Sequence, residues 1–290
     1  MKHQQIAAFF FTLIAFMAMS CAFVFLQNEI TFYLLCGLFG LAASIIVVCV
    51  LSRNRNVTKS RFVALYACAI AGLFVGGHLL FFLVGLPEFI KEIVPTLNSF
   101  EDFIASFGIA ASGMVFYGGL LMGLLFMYIY CRIVPLPVRP YFNIMVVTCP
   151  LFHFFGRIGC ALSGCCYGIE YHGPLAIHYN ETFVTPGVND SLVNFPRFPV
   201  QLLEALLELI LFIVLLIIYL KKGDTFSVTS TYLLIYPIIR FFDEFLRGDV
   251  QRGIWGPFST SQWISLVLFI ITLIYLITQR NRIKTAPRHG

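Results

Sequence analysis

Five stretches of this chain run for more than twenty residues without an Asp, Glu, Lys or Arg: Ile6 to Leu26, Ile30 to Leu51, Phe62 to Pro87, Phe103 to Cys131 and Pro257 to Gln279. About 20 apolar residues in a helix span the roughly 30 Å hydrocarbon core of a bilayer. Lipid cannot satisfy backbone N–H and C=O groups, so a spanning chain must close its hydrogen bonds within helices or a barrel. Unbroken apolar runs, without the two-residue alternation of a barrel strand, select helices. With 59% hydrophobic and 11% charged residues, the chain lies far from the roughly 25% charge of soluble domains. Three further stretches are equally apolar but carry charges: Pro140 to Ser163 with Arg157, Val200 to Leu220 with Glu204 and Glu208, and Phe226 to Leu246 with Arg240, Asp243 and Glu244. A cation at bilayer depth costs about 2.5 to 3.5 kcal/mol on insertion scales, so these three stretches are where function is sought.

The fold class expected is therefore all-α: a polytopic membrane bundle of seven or eight transmembrane helices. Its net charge of +5 is informative by position. Lys2, the group Arg53 to Arg61, Arg132 and Arg139, Lys221 and Lys222, and the group Arg280 to Arg288 fall at alternate helix ends. Positive residues in short loops stay inside, so eight crossings with both termini cytoplasmic satisfy all of them. Dispersed flanking charges of this kind exclude a nucleic-acid surface. The segment Gly164 to Pro199 then lies outside the cell; at this length a connection is functional or disordered. Tyr167, Tyr171, Leu175, Ile177 and Tyr179 favour a small folded cap. Residues 1–29 are read as a retained first helix, not a cleaved signal peptide; 30–285 form the membrane domain, with cap 164–199, and 286–290 a cytoplasmic tail.

Buried polar stripes mark the candidate site. Tyr236, Arg240, Glu244 and Arg247 recur at spacings of four, four and three, which places them on one face of a continuous helix. Gln201, Glu204 and Glu208 form a second stripe, and Glu204 or Glu208 could orient one arginine while leaving another for a ligand. In Tyr117-Gly118-Gly119 the glycines let a ligand or a second backbone approach a tyrosine hydroxyl. Two buried arginines suggest an anionic ligand, and guanidinium is suited to bidentate phosphate contacts. An internal ion-pair ladder that only pins helices is the structural alternative. Six of the nine cysteines are scattered through apolar stretches and read as small hydrophobes. Cys160, Cys165 and Cys166 crowd one helix end, where packing thiols, a disulfide or a metal site are all open. Their spacing matches no zinc pattern, and no metal is assigned.

The ordered set Tyr117-Gly118-Gly119, Gly156-Arg157-Ile158-Gly159 with Gly164 and Gly168, Arg197 and Pro199 with Gln201-Leu202 and Glu204, Tyr236 with Arg240-Phe241, Glu244-Phe245, Arg247 and Asp249, and Ser259 with Ser261-Gln262 resembles the prolipoprotein diacylglyceryl transferase family over roughly residues 30 to 280. The resemblance implies transfer of the diacylglyceryl group of phosphatidylglycerol to the lipobox cysteine of a preprolipoprotein signal peptide, in the cell membrane, with glycerol 1-phosphate released and no cofactor. It implies catalytic roles for Arg240, Tyr117, Tyr236 and Glu244. Phospholipid contacts would fall to Arg157, Arg247, Gly118, Gly119, Gln201 and Glu204. Departures from the family pattern are Tyr117 in place of histidine, Cys160, Ser163 and Cys165 in place of two asparagines and a glutamate, and Phe198 and Leu203 around the glutamine. They motivate a second reading, a non-catalytic relative that binds anionic lipid or lipoprotein signal peptides. A transporter is a remoter alternative, opposed by the lack of inverted repeats.

Overall fold

The computed structural model describes residues 32–53, 57–110, 113–179, 195–223, 227–249 and 253–285. The expected first helix within 1–29, the middle of the cap and the tail 286–290 lie outside the described residues. Eight α-helices are present among them: α1 (Phe32–Leu51), α2 (Ser60–Glu88), α3 (Phe100–Ala110), α4 (Phe116–Ile133), α5 (Val138–Leu162), α6 (Val200–Lys222), α7 (Val228–Asp243) and α8 (Thr260–Thr285). Of these, α1, α2, α4, α5, α6 and α8 are long and apolar enough to cross a membrane. The 16 residues of α7 rise about 24 Å, and the 3₁₀ turn Glu244–Leu246 prolongs them.

The chain divides into two compact units, one containing Thr58–Val138 and the other Thr31–Val57 with Arg139–Gly290. In the first, α2 and α4 pack with their backbones nearly touching. A Cβ on Gly72 would meet the backbone of Gly123, and one on Gly76 would meet the carbonyl of Gly118. Small residues allow such approach where no hydrophobic force drives helices together in lipid. This contact also breaks the stretch Phe103 to Cys131, which the apolar pattern reads as one span. Helix α3 is described as far as Ala110, residues 113–115 are not helical, and α4 starts at Phe116. Between them the Val115 amide donates to the Gly77 carbonyl at 3.1 Å, and His78 Nδ1 donates to the Gly113 carbonyl at 2.8 Å. Backbone groups that a continuous helix would satisfy internally are taken up by α2 instead.

In the second unit α5 is the most enclosed span. Gly159 and Gly40 bring α1 against it: a Cβ on Gly159 would press on Tyr33 and Cys36, and one on Gly40 on Phe155 and Phe152. At the start of α8 the Ser259 hydroxyl accepts from the Gln262 amide at 3.3 Å while Gln262 Oε1 accepts from the Ser259 amide at 3.0 Å. This reciprocal pair caps the helix. Gln262 Nε2 also donates to the Phe241 carbonyl at 3.3 Å, which ties α8 to α7. Large apolar side chains such as Phe39, Ile46, Val63, Phe242 and Ile274 are exposed. On a bilayer-spanning protein those are the surfaces that face hydrocarbon.

Overpacking a close helix crossing costs about 1 to 3 kcal/mol, often more against backbone. Gly76→Val should therefore lower the thermal midpoint in detergent sharply. Gly85→Ala, where a Cβ meets nothing within 4 Å, should leave the midpoint unchanged or raise it.

Candidate active site

Three helices of the second unit turn polar side chains inward. His153 and Arg157, one turn apart on α5, Glu204 and Glu208, one turn apart on α6, and Tyr236, Arg240 and Asp243 on α7 are all buried. Arg157 Nη2 donates to both oxygens of Glu204, at 2.8 Å and 2.7 Å. His153 lies against the carboxylates of α6, with Nδ1 3.2 Å from Glu208 Oε1 and Nε2 3.7 Å from Glu204 Oε1. The Tyr236 ring meets His153 edge-on at 5.7 Å and stacks on Tyr232 at 5.4 Å. On α7, Arg240 pairs with Asp243 at 3.1 Å and with Glu244, and lies 3.5 Å from the Ser261 hydroxyl of α8. Glu204 lies in the field of Arg157, Arg240 and His153 together, which joins the three helices into one polar cluster.

Arg247 reaches the site differently from the helical stripe the sequence suggests. Helix α7 ends at Asp243, Glu244 to Leu246 form a 3₁₀ turn, and Arg247 is extended with φ −79° and ψ 138°. The change follows from backbone pairing. Ile169 donates to Leu246 at 3.0 Å, Gly248 to Tyr167 at 2.9 Å and Phe198 to Ile169 at 2.9 Å. Gly168 must lack a Cβ here because one would collide with the Phe198 carbonyl, and a Cβ on Gly248 would collide with that of Gly168. The guanidinium of Arg247 is held bidentately by Asp249, Nε at 2.7 Å and Nη2 at 2.6 Å. Burial opposes its charge, but Cys166 and Asp249 hold its pKa above the ordinary value.

The described parts of the cap, residues 164–179 and 195–199, lie on this same backbone layer. Ile177 and Arg197 exchange amide hydrogen bonds at 2.9 Å each, and the Arg197 guanidinium sits 5.0 Å from the Tyr167 ring centroid. Gln201, expected at the lipid, donates to the Cys165 carbonyl at 2.9 Å and to the Tyr179 hydroxyl at 3.0 Å. Its amide therefore anchors the cap to α6. Burial pushes the Tyr179 hydroxyl up to about 12, against the Gln201 hydrogen bond, and so keeps it protonated.

The structure thus gathers Arg157, Glu204, Tyr236, Arg240, Glu244 and Arg247 with Gln201 at the edge. Tyr117, Gly118 and Gly119 belong to the first unit, at the start of α4, where Tyr117 and Gly119 are buried. The expectation that one arginine is left without an acid is not met: Arg157 has Glu204, Arg240 has Asp243 and Glu244, and Arg247 has Asp249. Asp243, noted in the sequence only as a charge of its stretch, and His153 join the site. Both were visible as polar residues one helical turn from an arginine. Pairing does not saturate Arg157, because among the described residues its buried Nε has no hydrogen-bond partner and Nη1 reaches only the Cys160 sulfur at 4.0 Å. Leaving a buried charged donor unmet costs more than the roughly 1 to 3 kcal/mol of a neutral one. The arrangement suits an anion that completes the guanidinium.

A sequence profile described as prolipoprotein diacylglyceryl transferase matches residues 20–278. A phosphatidylglycerol–prolipoprotein diacylglyceryl transferase of Clostridium tetani (strain Massachusetts / E88) is 30% identical over 243 residues, covering 84% of this chain and 90% of the relative. One of Clostridium perfringens (strain 13 / Type A), with the same name and the suffix 2, is 32% identical over 229 residues, 79% of this chain and 82% of the relative. One of Idiomarina loihiensis (strain ATCC BAA-735 / DSM 15497 / L2-TR) is 30% identical over 239 residues, 80% and 81% of the two chains.

Removing one partner of a buried pair costs about 3 to 5 kcal/mol. Glu204→Gln should accordingly destabilise the protein to thermal unfolding in detergent, while Leu206→Ala on the exposed side of α6 should change little.

Proposed function

The chain belongs to the prolipoprotein diacylglyceryl transferase family, and from that premise we propose that it moves the diacylglyceryl group of phosphatidylglycerol onto the lipobox cysteine thiol of a preprolipoprotein. The thiol gives up its proton to solvent, and its sulfur attacks the glyceryl carbon that carries the phosphate oxygen. A carbon–sulfur bond forms, the carbon–oxygen bond breaks, and its electron pair leaves with glycerol 1-phosphate. A phosphate diester with one negative charge thereby becomes a monoester with more, and catalysis asks for cations placed where that charge grows.

The observation that carries this reading is the buried Arg157, fixed through Nη2 by Glu204 and with Nε still to be met. A phosphate oxygen is a suitable acceptor for it. Arg240, oriented by Asp243, Glu244 and Ser261, acts on the phosphate as its charge develops, and Arg247 adds positive field from the cap layer. Carboxylates that hold the guanidinium planes in advance remove the need to reorganise them during reaction. Tyr236 packs His153 against α6 and so positions the acid that holds Arg157. Tyr117 and the Gly118-Gly119 pair enter as catalytic and lipid-binding candidates on the strength of the family pattern. The site opens to the outer leaflet and both termini are cytoplasmic, as the alternation of Lys and Arg among the loops favours.

Cys160, Ser163 and Cys165 beside Arg157 favour the second reading, a relative that binds anionic lipid or signal peptide without transfer. Expression in cells depleted of their own transferase separates the two. Growth, with one diacylglyceryl unit added to a lipobox peptide, is expected; binding without the mass gain would establish the second reading. Arg240→Ala should abolish transfer while the protein still inserts and purifies as a single species, and an active Arg240→Ala protein would overturn the mechanism. Tyr117→Phe should lower turnover by about tenfold or more if its hydroxyl takes part, and unchanged turnover would return Tyr117 to a packing role.

A further inference from the structure

The proposed chemistry makes no use of three thiols that the fold brings together at the end of α5. The Sγ atoms of Cys160, Cys165 and Cys166 all lie within 4.8 Å of one another. They come from the last turn of α5 and from the turn that follows it. The Cys165 amide donates to the Cys160 carbonyl at 3.1 Å, Gly164 has φ 68°, and Cys166 has φ 57°. That last value lies in the left-handed region, which a cysteine rarely occupies. Gln201 holds the turn from the other side through the Cys165 carbonyl. A folded, hydrogen-bonded turn therefore aims three sulfurs at one point.

We propose that Cys160, Cys165 and Cys166 form a three-coordinate thiolate site for a soft monovalent cation, Cu(I) in particular. Thiolate–metal bonds of about 2.3 Å put three sulfurs around one ion about 4 Å apart. The present spacing needs a contraction of less than about 1 Å to reach that. No histidine or carboxylate joins the three to make a fourth ligand among the described residues. Zinc in a structural site asks for four ligands, whereas three soft thiolates with no fourth protein ligand suit Cu(I). The charge fits as well. Cu(I) with three thiolates is a dianion, and Arg157 Nη1 already stands 4.0 Å from Cys160 Sγ, with the Arg247 guanidinium close enough to Cys166 to bias its charge. Metal entry forms three Cu–S bonds, each thiol giving up its proton to solvent as its bond forms, and leaves copper as Cu(I). Cys165 and Cys166 are half-buried, which leaves a way in, while Cys160 is the buried end of the site.

The test uses the full-length protein, purified in detergent, reduced under argon and titrated with Cu(I) presented as its bicinchoninate complex. The wild type should withdraw one Cu(I) per chain, with an absorption-edge spectrum of three sulfur neighbours, and C160S/C165S/C166S should withdraw none. Cys166→Ser alone, checked for an unchanged thermal midpoint, should weaken binding by about tenfold or more. This keeps the proposal falsifiable if the triple variant fails to fold. Equal copper uptake by wild type and Cys166→Ser, no uptake by either, tighter binding of Zn(II) than of Cu(I), or loss of two thiols to a disulfide under the same conditions would each overturn it. The readout is metal occupancy, so its failure leaves the transferase reading intact, and a failure of lipid transfer leaves this one intact.

Discussion

The ion pair between Arg157 and Glu204 is the fixed point around which the polar interior of the second unit is arranged. It joins α5 to α6 through one guanidinium nitrogen and both carboxylate oxygens. His153 packs against that same carboxylate and against Glu208 one turn deeper. Tyr236 of α7 rests on His153, and Arg240 of α7 shares the field of Glu204. Each helix thus meets the next through a charged group that could not stay buried alone.

Such pairs are a poor way to make a membrane protein stable. Taking two ions out of water costs several kcal/mol for each, and well-packed apolar residues of similar size often do as well or better. Three arginine–carboxylate sets within one unit are better understood as instruments of position. Asp249 grips Arg247 in the two-point geometry that fixes a guanidinium plane, and Asp243 with Glu244 does the same for Arg240 from two directions. Arg157 is the least completely matched, and it is on that side chain that the phosphate reading rests.

Much of this could be read from the residues. Charge-free runs longer than a bilayer crossing gave α1, α2 and α8, and the cost of an isolated cation pointed to Arg157 and Arg240. Periodicity on α7 brought Tyr236, Arg240 and Glu244 together correctly because they lie within one helix and its immediate continuation. It failed for Arg247, since no spacing rule says that the backbone after Leu246 will pair with Tyr167 and Ile169, far away in sequence. The break between α3 and α4 was hidden for a related reason: apolar composition is indifferent to whether Gly113 and Val115 bond within their own helix or to α2. His153 was not placed at the site, and the readings of the three thiols stayed open, because their meaning depends on partners brought by tertiary structure. A histidine among phenylalanines looks like packing until two glutamates from α6 stand beside it.

The backbone layer that carries Gly168 and Gly248 has a mechanical consequence. Arg247, the cap and the turn bearing Cys166 share one short run of main chain, stitched through Leu246, Tyr167, Gly248 and Ile169 without room for a side chain at the crossing. Asp249 fixes the head of Arg247, and the glycines beside it let the two backbone segments cross in contact. The described parts of the cap, residues 164–179 and 195–199, are thus tied by main-chain hydrogen bonds to the segment that carries Arg247. The position of Arg247 is therefore set by the same hydrogen bonds that seat the described cap residues on α6 and on the turn after α7.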